Sequence, residues 1–300
     1  MTVWDVKRNI NVTDLIRSMR PSQWVKNTVV FAGLIFSLHF TRVDDVLLTV
    51  AAFAIFCALA SAVYLLNDIK DREMDREHPQ KRNRPIASGR VPVTTATVAS
   101  FVLFLVGLAA STLLGTYFLI SVAIYVLLNV GYSYGLKHVP ILDVMIVSAG
   151  FVIRAVAGAV VIGVAISPWL VVCTSLLALF LGFGKRRWEL ETLGDEAPKH
   201  RVALEGYTLH LTDQLIAVTT ASTVVAYALY TLAYDTQEKF GTTQLIWTLP
   251  FVLYGVFRYL YLIHGEKKGG NPTRALMTDG PILIDVALWL ITVIVILARF

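Results

Sequence analysis

Apolar residues in this chain come in runs, and each run approaches the ~20 residues that a helix needs to cross a bilayer. They fall at roughly 24–40, 46–66, 93–114, 117–134, 141–163, 168–184, 215–234, 245–263 and 281–298. The pattern predicts an all-α polytopic membrane protein with about nine transmembrane helices. Residues 1–23 form a cytoplasmic or interfacial segment and 24–300 a single transmembrane domain. In the entry segment Leu15, Ile16 and Met19 interleave with Asp14, Arg17, Ser18 and Arg20. That reads as a short interfacial helix ending before Pro21.

Composition agrees with the pattern. A chain of 300 residues that is 56% hydrophobic, with a mean hydropathy of +0.65, holds too little polar surface to be an ordinary soluble domain. Residues 1–27 lack the uninterrupted apolar core and small-residue cleavage site of a signal peptide. Basic residues fall in alternate connections: the N-terminal segment, 70–90, Lys137, 185–201 and 258–274. The other connections hold Arg42 and Lys239, with Arg299 at the end. By the positive-inside rule the N-terminus and the basic loops are cytoplasmic and the C-terminus is outside. The net charge of +5 therefore argues orientation, and no nucleic-acid partner is expected. Cys57 and Cys173 sit in apolar runs as packing residues, the six histidines form no zinc pattern, and no phosphate-cradling glycine loop is present.

One stretch breaks this economy. From Asn67 to Arg90 the chain reads NDIKDREMDREHPQKRNRPIASGR, starting where an apolar run meets water. If the helix continues past Leu66, Asn67, Asp71 and Asp75 share one face at i, i+4, i+8, with Asp68 beside them. Close carboxylates repel, and a hard cation such as Mg²⁺ relieves them while keeping positions for water and phosphate. The Lys81, Arg82, Arg84 and Arg90 run reads as a flexible cationic arm beside that site. The alternative is a solvated juxtamembrane face laced with i,i+4 ion pairs.

The segment resembles the NDxxDxxxD signature of the UbiA superfamily of intramembrane prenyltransferases. Its extension DREHPxKRxRPIASG is similar to the branch that joins a phosphoribosyl group to a lipid phosphate. The resemblance implies a UbiA-like bundle with its active site on the cytoplasmic side of a cell membrane, the bacterial inner membrane. It implies metal binding by Asn67, Asp68, Asp71 and Asp75, with Mg²⁺ or Mn²⁺ as cofactor. The implied substrates are phosphoribosyl diphosphate and a polyprenyl phosphate, the product a cell-envelope glycolipid precursor, and a homo-oligomer is left open.

Three further stretches carry the same resemblance. RPxQWVKN would place Arg20, Gln23 and Lys26 near the lipid phosphate, although a basic anchor with an aromatic-belt Trp24 reads equally well. YSxxLK implies substrate contacts for Tyr132 and Lys137, where Lys137 alone reads as a snorkelling residue. In GFGKRRWELETL, the chain carries Lys185, Arg186 and Glu189 where ordinary prenyltransferases have a second aspartate-rich motif. That departure suits an extra substrate phosphate, and Lys185–Glu189 also reads as a surface i,i+4 pair. Arg154, about thirteen positions into an apolar run, is costly to bury unpaired and is expected to face a polar cavity. Its partner would be a phosphate or a carboxylate from another helix, since Asp143 lies ~16 Å away along the same helix. Together the resemblance implies catalytic roles for Asp68, Asp71, Asp75, Lys185 and Glu189. Substrate binding falls to Gln23, Lys26, Lys81, Arg82, Arg84, Tyr132, Lys137, Arg154 and Arg186. The competing enzymatic reading is prenyl transfer from a prenyl diphosphate to an aromatic or other acceptor, and a transporter or lipid-binding protein is the non-enzymatic one.

Overall fold

A computed structural model describes residues 11–77, 81–265, 275 and 277–299. Residues 1–10 of the entry segment, 78–80 of the charged run and 266–274 of the last basic connection lie outside the described residues. Eight helices are long and apolar enough to cross a membrane, and no strand occurs among the described residues. In chain order the α-helices are α1 (Val12–Ser18), α2 (Ala32–Phe36), α3 (Val43–Lys70), α4 (Arg72–Glu77), α5 (Val93–Leu113), α6 (Thr116–Tyr134) and α7 (Leu142–Val161). They continue as α8 (Pro168–Leu193), α9 (Ala197–His200), α10 (Leu209–Leu232), α11 (Tyr234–Phe240), α12 (Leu249–His264) and α13 (Gly280–Leu297).

The first apolar run departs from expectation. Instead of one long α-helix, it is the 3₁₀ helix Pro21–Phe31 followed by the five residues of α2. Leu38, at φ 63°, ends this stretch. The 3₁₀ geometry rises ~2.0 Å per residue, so the segment is longer than its residue count suggests in α geometry.

Helix ends follow their sequences. Asn11 caps α1 by accepting from the Thr13 N–H, Thr208 caps α10 through Leu211 N–H, and Asp279 caps α13 through Ile282 N–H. Pro168 stands in the first turn of α8, where a missing N–H costs nothing.

The chain divides into two compact units, one of residues 1–133 with 157–164, the other of 134–156 with 165–300. In the first, α5 lies along α3, with Ser100 Oγ donating to Ala62 O at 2.9 Å. Phe56 meets Phe118 and Tyr125 of α6 edge to face, at centroid distances of 6.0 and 5.3 Å. The 3₁₀ segment is stitched to α3 by Trp24 Nε1–H to Ser61 Oγ at 3.0 Å and by Asn27 Nδ2–H to Cys57 Sγ at 3.2 Å. Glycines let backbones meet: a Cβ at Gly158 would stand 1.8 Å from Val30 O, and one at Gly33 would stand 2.7 Å from Ala159 N. In lipid, where apolar burial does not drive association, such close van der Waals approach holds helices together.

In the second unit α8, α10 and α12 surround a core of Phe180, Phe183, Ile216, Tyr259 and Ile263. Gly184 makes room for Ile263, whose Cδ1 would lie 2.7 Å from an added Cβ.

Candidate functional site

The acidic stretch is helical, with a break. Asp71 leaves α geometry at φ −86°, ψ 5° and closes α3 by donating its N–H to Asn67 O at 2.8 Å. Helix α4 then resumes, and Asp75 N–H reaches Asp71 O at 2.8 Å. This keeps Asp68 and Asp75 on a common side, and their side chains are only 3% and 4% exposed. Both carboxylates meet one group: Arg84 Nη1 lies 3.2 Å from Asp68 Oδ1 and 2.6 Å from Asp75 Oδ2. Arg20 adds a second guanidinium to Asp68 Oδ1 and sits 4.9 Å above the Tyr64 ring. Arg20 does so from a left-handed backbone, φ 55° and ψ 61°, sparsely populated for a side-chain-bearing residue. Two buried charges thus find two cations, as low-dielectric burial requires.

Around this pair, Asn67 Oδ1 accepts from Ser133 Oγ–H, and Lys70 Nζ donates to Ser133 O at 2.6 Å. Asp71 is half-buried on the same tail. The basic run is not a loose arm. Arg84 N–H to Lys81 O, Ser88 N–H to Arg84 O and Val91 N–H to Pro85 O fold 81–91 into turns. Ile86 and Val91 bury themselves against Leu65, with Leu15 and Met19 of the entry segment alongside. Apolar residues inside a basic run are what fix it, and they place Arg84 on the carboxylates. Lys81 is half-buried and Arg82 exposed, both on the short 3₁₀ turn Lys81–Asn83. Gln23 and Lys26 lie half-buried on the 3₁₀ entry helix, and Tyr132 half-buried near the end of α6.

The donor set suits a hard divalent cation. Asp68 and Asp75 supply buried carboxylates that converge on a single cationic group, and Asn67 and Asp71 add oxygens on the same tail. Mg²⁺ needs one or two carboxylates and completes its shell with water and phosphate. Among the described residues no three His, Cys, Asp or Glu side chains form a ready-made metal cage.

The second unit carries a separate charged cluster centred on Asp143. Its carboxylate is fully buried and accepts from Arg186 Nε at 2.8 Å, Arg201 Nη1 at 3.1 Å and Tyr207 Oη at 2.8 Å. Tyr207 in turn accepts from Ile141 N–H at 2.7 Å, across a turn in which Ile141 takes φ 67°. Burial, and then the bond to Asp143, raises the Tyr207 hydroxyl above its ordinary pKa, so it remains a donor. Arg186 spans this network, reaching Glu189 with its other arm. Lys185 lies 3.8 Å from Glu189 Oε1 with its side chain 40% exposed. Arg186 is therefore occupied by two carboxylates, and Lys185 is the cation of that pair turned toward the surface. Lys185, Arg186 and Arg201 thus gather around Asp143 and Glu189. Elsewhere in this unit Arg154, 8% exposed, donates Nη1–H to Gly150 O at 2.8 Å and lies 5.5 Å above the Phe151 ring. Lys137 stands half-buried on the 3₁₀ turn Leu136–His138.

Sequence reasoning passed over Asp143, Arg201, Tyr207 and Ser133. An acid in the first turn of a membrane helix, as Asp143 is, reads as an ordinary complement to the helix dipole. Its three partners come from distant stretches of chain, and no local pattern announces them.

Residues 28–278 match the UbiA prenyltransferase family. The chain is 33% identical over 293 residues to the decaprenyl-phosphate phosphoribosyltransferase of Mycolicibacterium smegmatis, covering 94% of this chain and 92% of that protein. It is 32% identical to the enzyme of the same name from Corynebacterium glutamicum, covering 95% and 87%. Among solved structures it is similar to a UbiA homolog from Archaeoglobus fulgidus bound to GPP and Mg²⁺, with a TM-score of 0.72, 18% identity, and 95% and 99% of the two chains covered. At that identity the likeness shows the fold.

Proposed function

The chain belongs to the UbiA prenyltransferase family, and we propose that it transfers the 5-phosphoribosyl group of phosphoribosyl diphosphate to a polyprenyl phosphate, releasing diphosphate. It is a multi-pass membrane transferase. Its relatives in Mycolicibacterium smegmatis and Corynebacterium glutamicum are named decaprenyl-phosphate phosphoribosyltransferases, which supports this reading. The observation that carries phosphoribosyl transfer over prenyl transfer is the second cluster. Lys185, Arg186 and Arg201 gather there, where a second acidic metal motif would need carboxylates, a composition suited to an additional phosphate rather than to a second metal.

In this reading an oxygen of the lipid phosphate attacks C1 of the ribose, and the C1–O bond to the diphosphate breaks with its electron pair leaving on oxygen. The lipid phosphate is already largely ionised at neutral pH, so the reaction asks for positioning and charge neutralisation rather than a strong base. Asn67, Asp68, Asp71 and Asp75 would hold Mg²⁺, or Mn²⁺, which supplies charge neutralisation on the leaving diphosphate when bound. Lys81, Arg82 and Arg84 bind diphosphate oxygens. Lys185 binds the ribose 5-phosphate, while Arg186 fixes Glu189 and Asp143 around it. Gln23, Lys26, Tyr132, Lys137 and Arg154 serve the substrates at the lipid side, and the reaction occurs on the cytoplasmic face of the cell membrane.

The test supplies the purified protein with radiolabelled phosphoribosyl diphosphate and polyprenyl phosphate, and separately with a prenyl diphosphate and aromatic acceptors. Label entering the lipid phase only in the first assay is the expected result. Product only in the second would replace this reading with prenyl transfer.

A further inference from the structure

The two oxygens of Asp143 are used unequally. Oδ1 accepts from the Tyr207 hydroxyl at 2.8 Å, and that hydroxyl in turn accepts from Ile141 N–H at 2.7 Å. With Oδ1 taken by a neutral donor, both guanidiniums meet the other oxygen: Arg186 Nε lies 2.8 Å and Arg201 Nη1 3.1 Å from Oδ2. An arginine beside a carboxylate tends to close on both oxygens as a fork. At Asp143 the phenol prevents that closure, and the guanidiniums stay extended toward Glu189. Arg186 Nη1 donates to Glu189 Oε2, and Arg201 Nε stands 3.9 Å from the same oxygen.

The phenol is itself placed by packing. Tyr207 is 4% exposed in the core that holds Phe183 and Leu204. The residue before it, Gly206, lies against the turn that carries Ile141, where an added Cβ would stand 2.4 Å from Pro140 Cγ. Tyr207→Phe therefore keeps the seat and deletes one hydroxyl.

Glu189 feels that hydroxyl indirectly. The two arginines stand on its Oε2 side, and Lys185 stands on its Oε1 side, 3.8 Å away with a 40% exposed side chain. Deleting the phenol leaves Asp143 Oδ1 a buried acceptor without its donor, which is costly. A guanidinium that closes onto Oδ1 withdraws its charge from Glu189, and Lys185 is then the cation drawn in to balance it. We propose that Tyr207 is a positioning residue: by reserving one oxygen of Asp143 it keeps the arginines on Glu189, and so keeps the Lys185 ammonium turned to the ribose phosphate. The identity of that phosphate rests on the proposed phosphoribosyl transfer, whereas the positioning rests on the cluster's geometry alone.

The experiment takes two readouts from the full-length protein in detergent. The first needs no substrate: limiting acetic anhydride acetylates neutral amines, and the rate at Lys185 is followed by peptide mass spectrometry. Drawing Lys185 onto Glu189 favours its charged form. Tyr207→Phe should therefore slow acetylation of Lys185 severalfold, with the exposed Lys239 on α11 unchanged as reference, and adding Glu189→Gln should restore the rate. The second readout is calorimetric binding of phosphoribosyl diphosphate. Tyr207→Phe should raise its Kd about fivefold, the order of one lost hydrogen bond, leave polyprenyl phosphate binding unchanged, and add nothing in a Lys185→Ala background. An unchanged acetylation rate would overturn the assignment. So would weakened binding of both substrates, an effect that adds to Lys185→Ala, or loss of the fold, each of which makes the hydroxyl a merely structural bond. If acetylation responds as expected while the wild type binds a prenyl diphosphate and not phosphoribosyl diphosphate, the positioning stands and the proposed reaction fails.

Discussion

Arg84 donates Nη1–H to Asp75 Oδ2 at 2.6 Å, from a loop position nine residues further along the chain. The same nitrogen reaches Asp68, so one surface-loop arginine is shared by two buried carboxylates. Removing it leaves both without their shared partner, which in buried pairs costs about 3 to 5 kcal/mol. Arg84→Ala should therefore lower both thermal stability and turnover, whereas Asp75→Asn, which removes a charge rather than stranding one, should abolish turnover with little loss of stability. Thermal unfolding in detergent beside single-turnover assays separates the two. Equal stability loss in both variants would show that the pair is merely structural.

Metal removal follows from the same carboxylates. A diphosphate leaving group brings further negative charge to Asp68 and Asp75, and two arginines cannot offset all of it. Excess EDTA should eliminate transfer, and Mg²⁺ or Mn²⁺ should restore it. Full turnover in EDTA would remove the metal from the proposed mechanism.

Packing makes a prediction independent of chemistry. A Cβ on Gly158 would stand 1.8 Å from the Val30 carbonyl oxygen, a contact with backbone that no side-chain rotation relieves. Gly158→Ala should destabilise the protein by about 1 to 3 kcal/mol, as overpacking does, with a lower unfolding temperature as the readout. Gly115→Ala supplies a contrast, because a Cβ there meets nothing within 4 Å. Its φ of +100° makes its cost one of backbone strain instead.

The fold was largely legible because membrane helices announce themselves by apolar length, and eight of the runs are long helices. The run at 24–40 is built differently, from a 3₁₀ segment followed by a short α-helix. Hydropathy measures how apolar a segment is, whereas Pro21–Phe31 takes 3₁₀ geometry under tertiary packing against Ser61, Cys57 and Gly158. At the candidate site the carboxylates were visible from their spacing, since Asp68 and Asp75 share a helical tail. Their partners were not: Arg20 lies 48 residues from Asp68, and Arg84 is delivered by the burial of Ile86 and Val91. The pairing of Arg186 with Asp143 was not legible either, because the two lie 43 residues apart.

Membrane orientation can be read chemically at two exposed positions. Asn83 lies in the basic loop and Glu238 on α11, in a connection of opposite charge character. By the positive-inside rule a cysteine at Asn83 should react with impermeant reagents from the cytoplasmic side, and one at Glu238 from outside. Labelling of both from one side would overturn the proposed topology.

The last prediction concerns which cation meets the ribose phosphate. Lys185 has a 40% exposed side chain and a long 3.8 Å approach to Glu189, so its ammonium is the more accessible of the two cations. Arg186 is only 4% exposed and is held by Asp143 and Glu189. Lys185→Ala should raise the Kd for phosphoribosyl diphosphate by roughly tenfold to a hundredfold, the loss of a charged hydrogen bond of ~1.5 to 3 kcal/mol, while leaving stability nearly unchanged. Arg186→Ala should instead lower the unfolding temperature, because it strands Asp143 in the interior, and any loss of binding would follow from that collapse. Arg186→Lys tests the distinction, since one ammonium cannot reproduce the fork that reaches two carboxylates. Ribose 5-phosphate should compete with phosphoribosyl diphosphate in the wild type, and that competition should disappear in Lys185→Ala. If ribose 5-phosphate never competes while a prenyl diphosphate binds tightly, the second cluster does not read a sugar phosphate and the reaction is prenyl transfer.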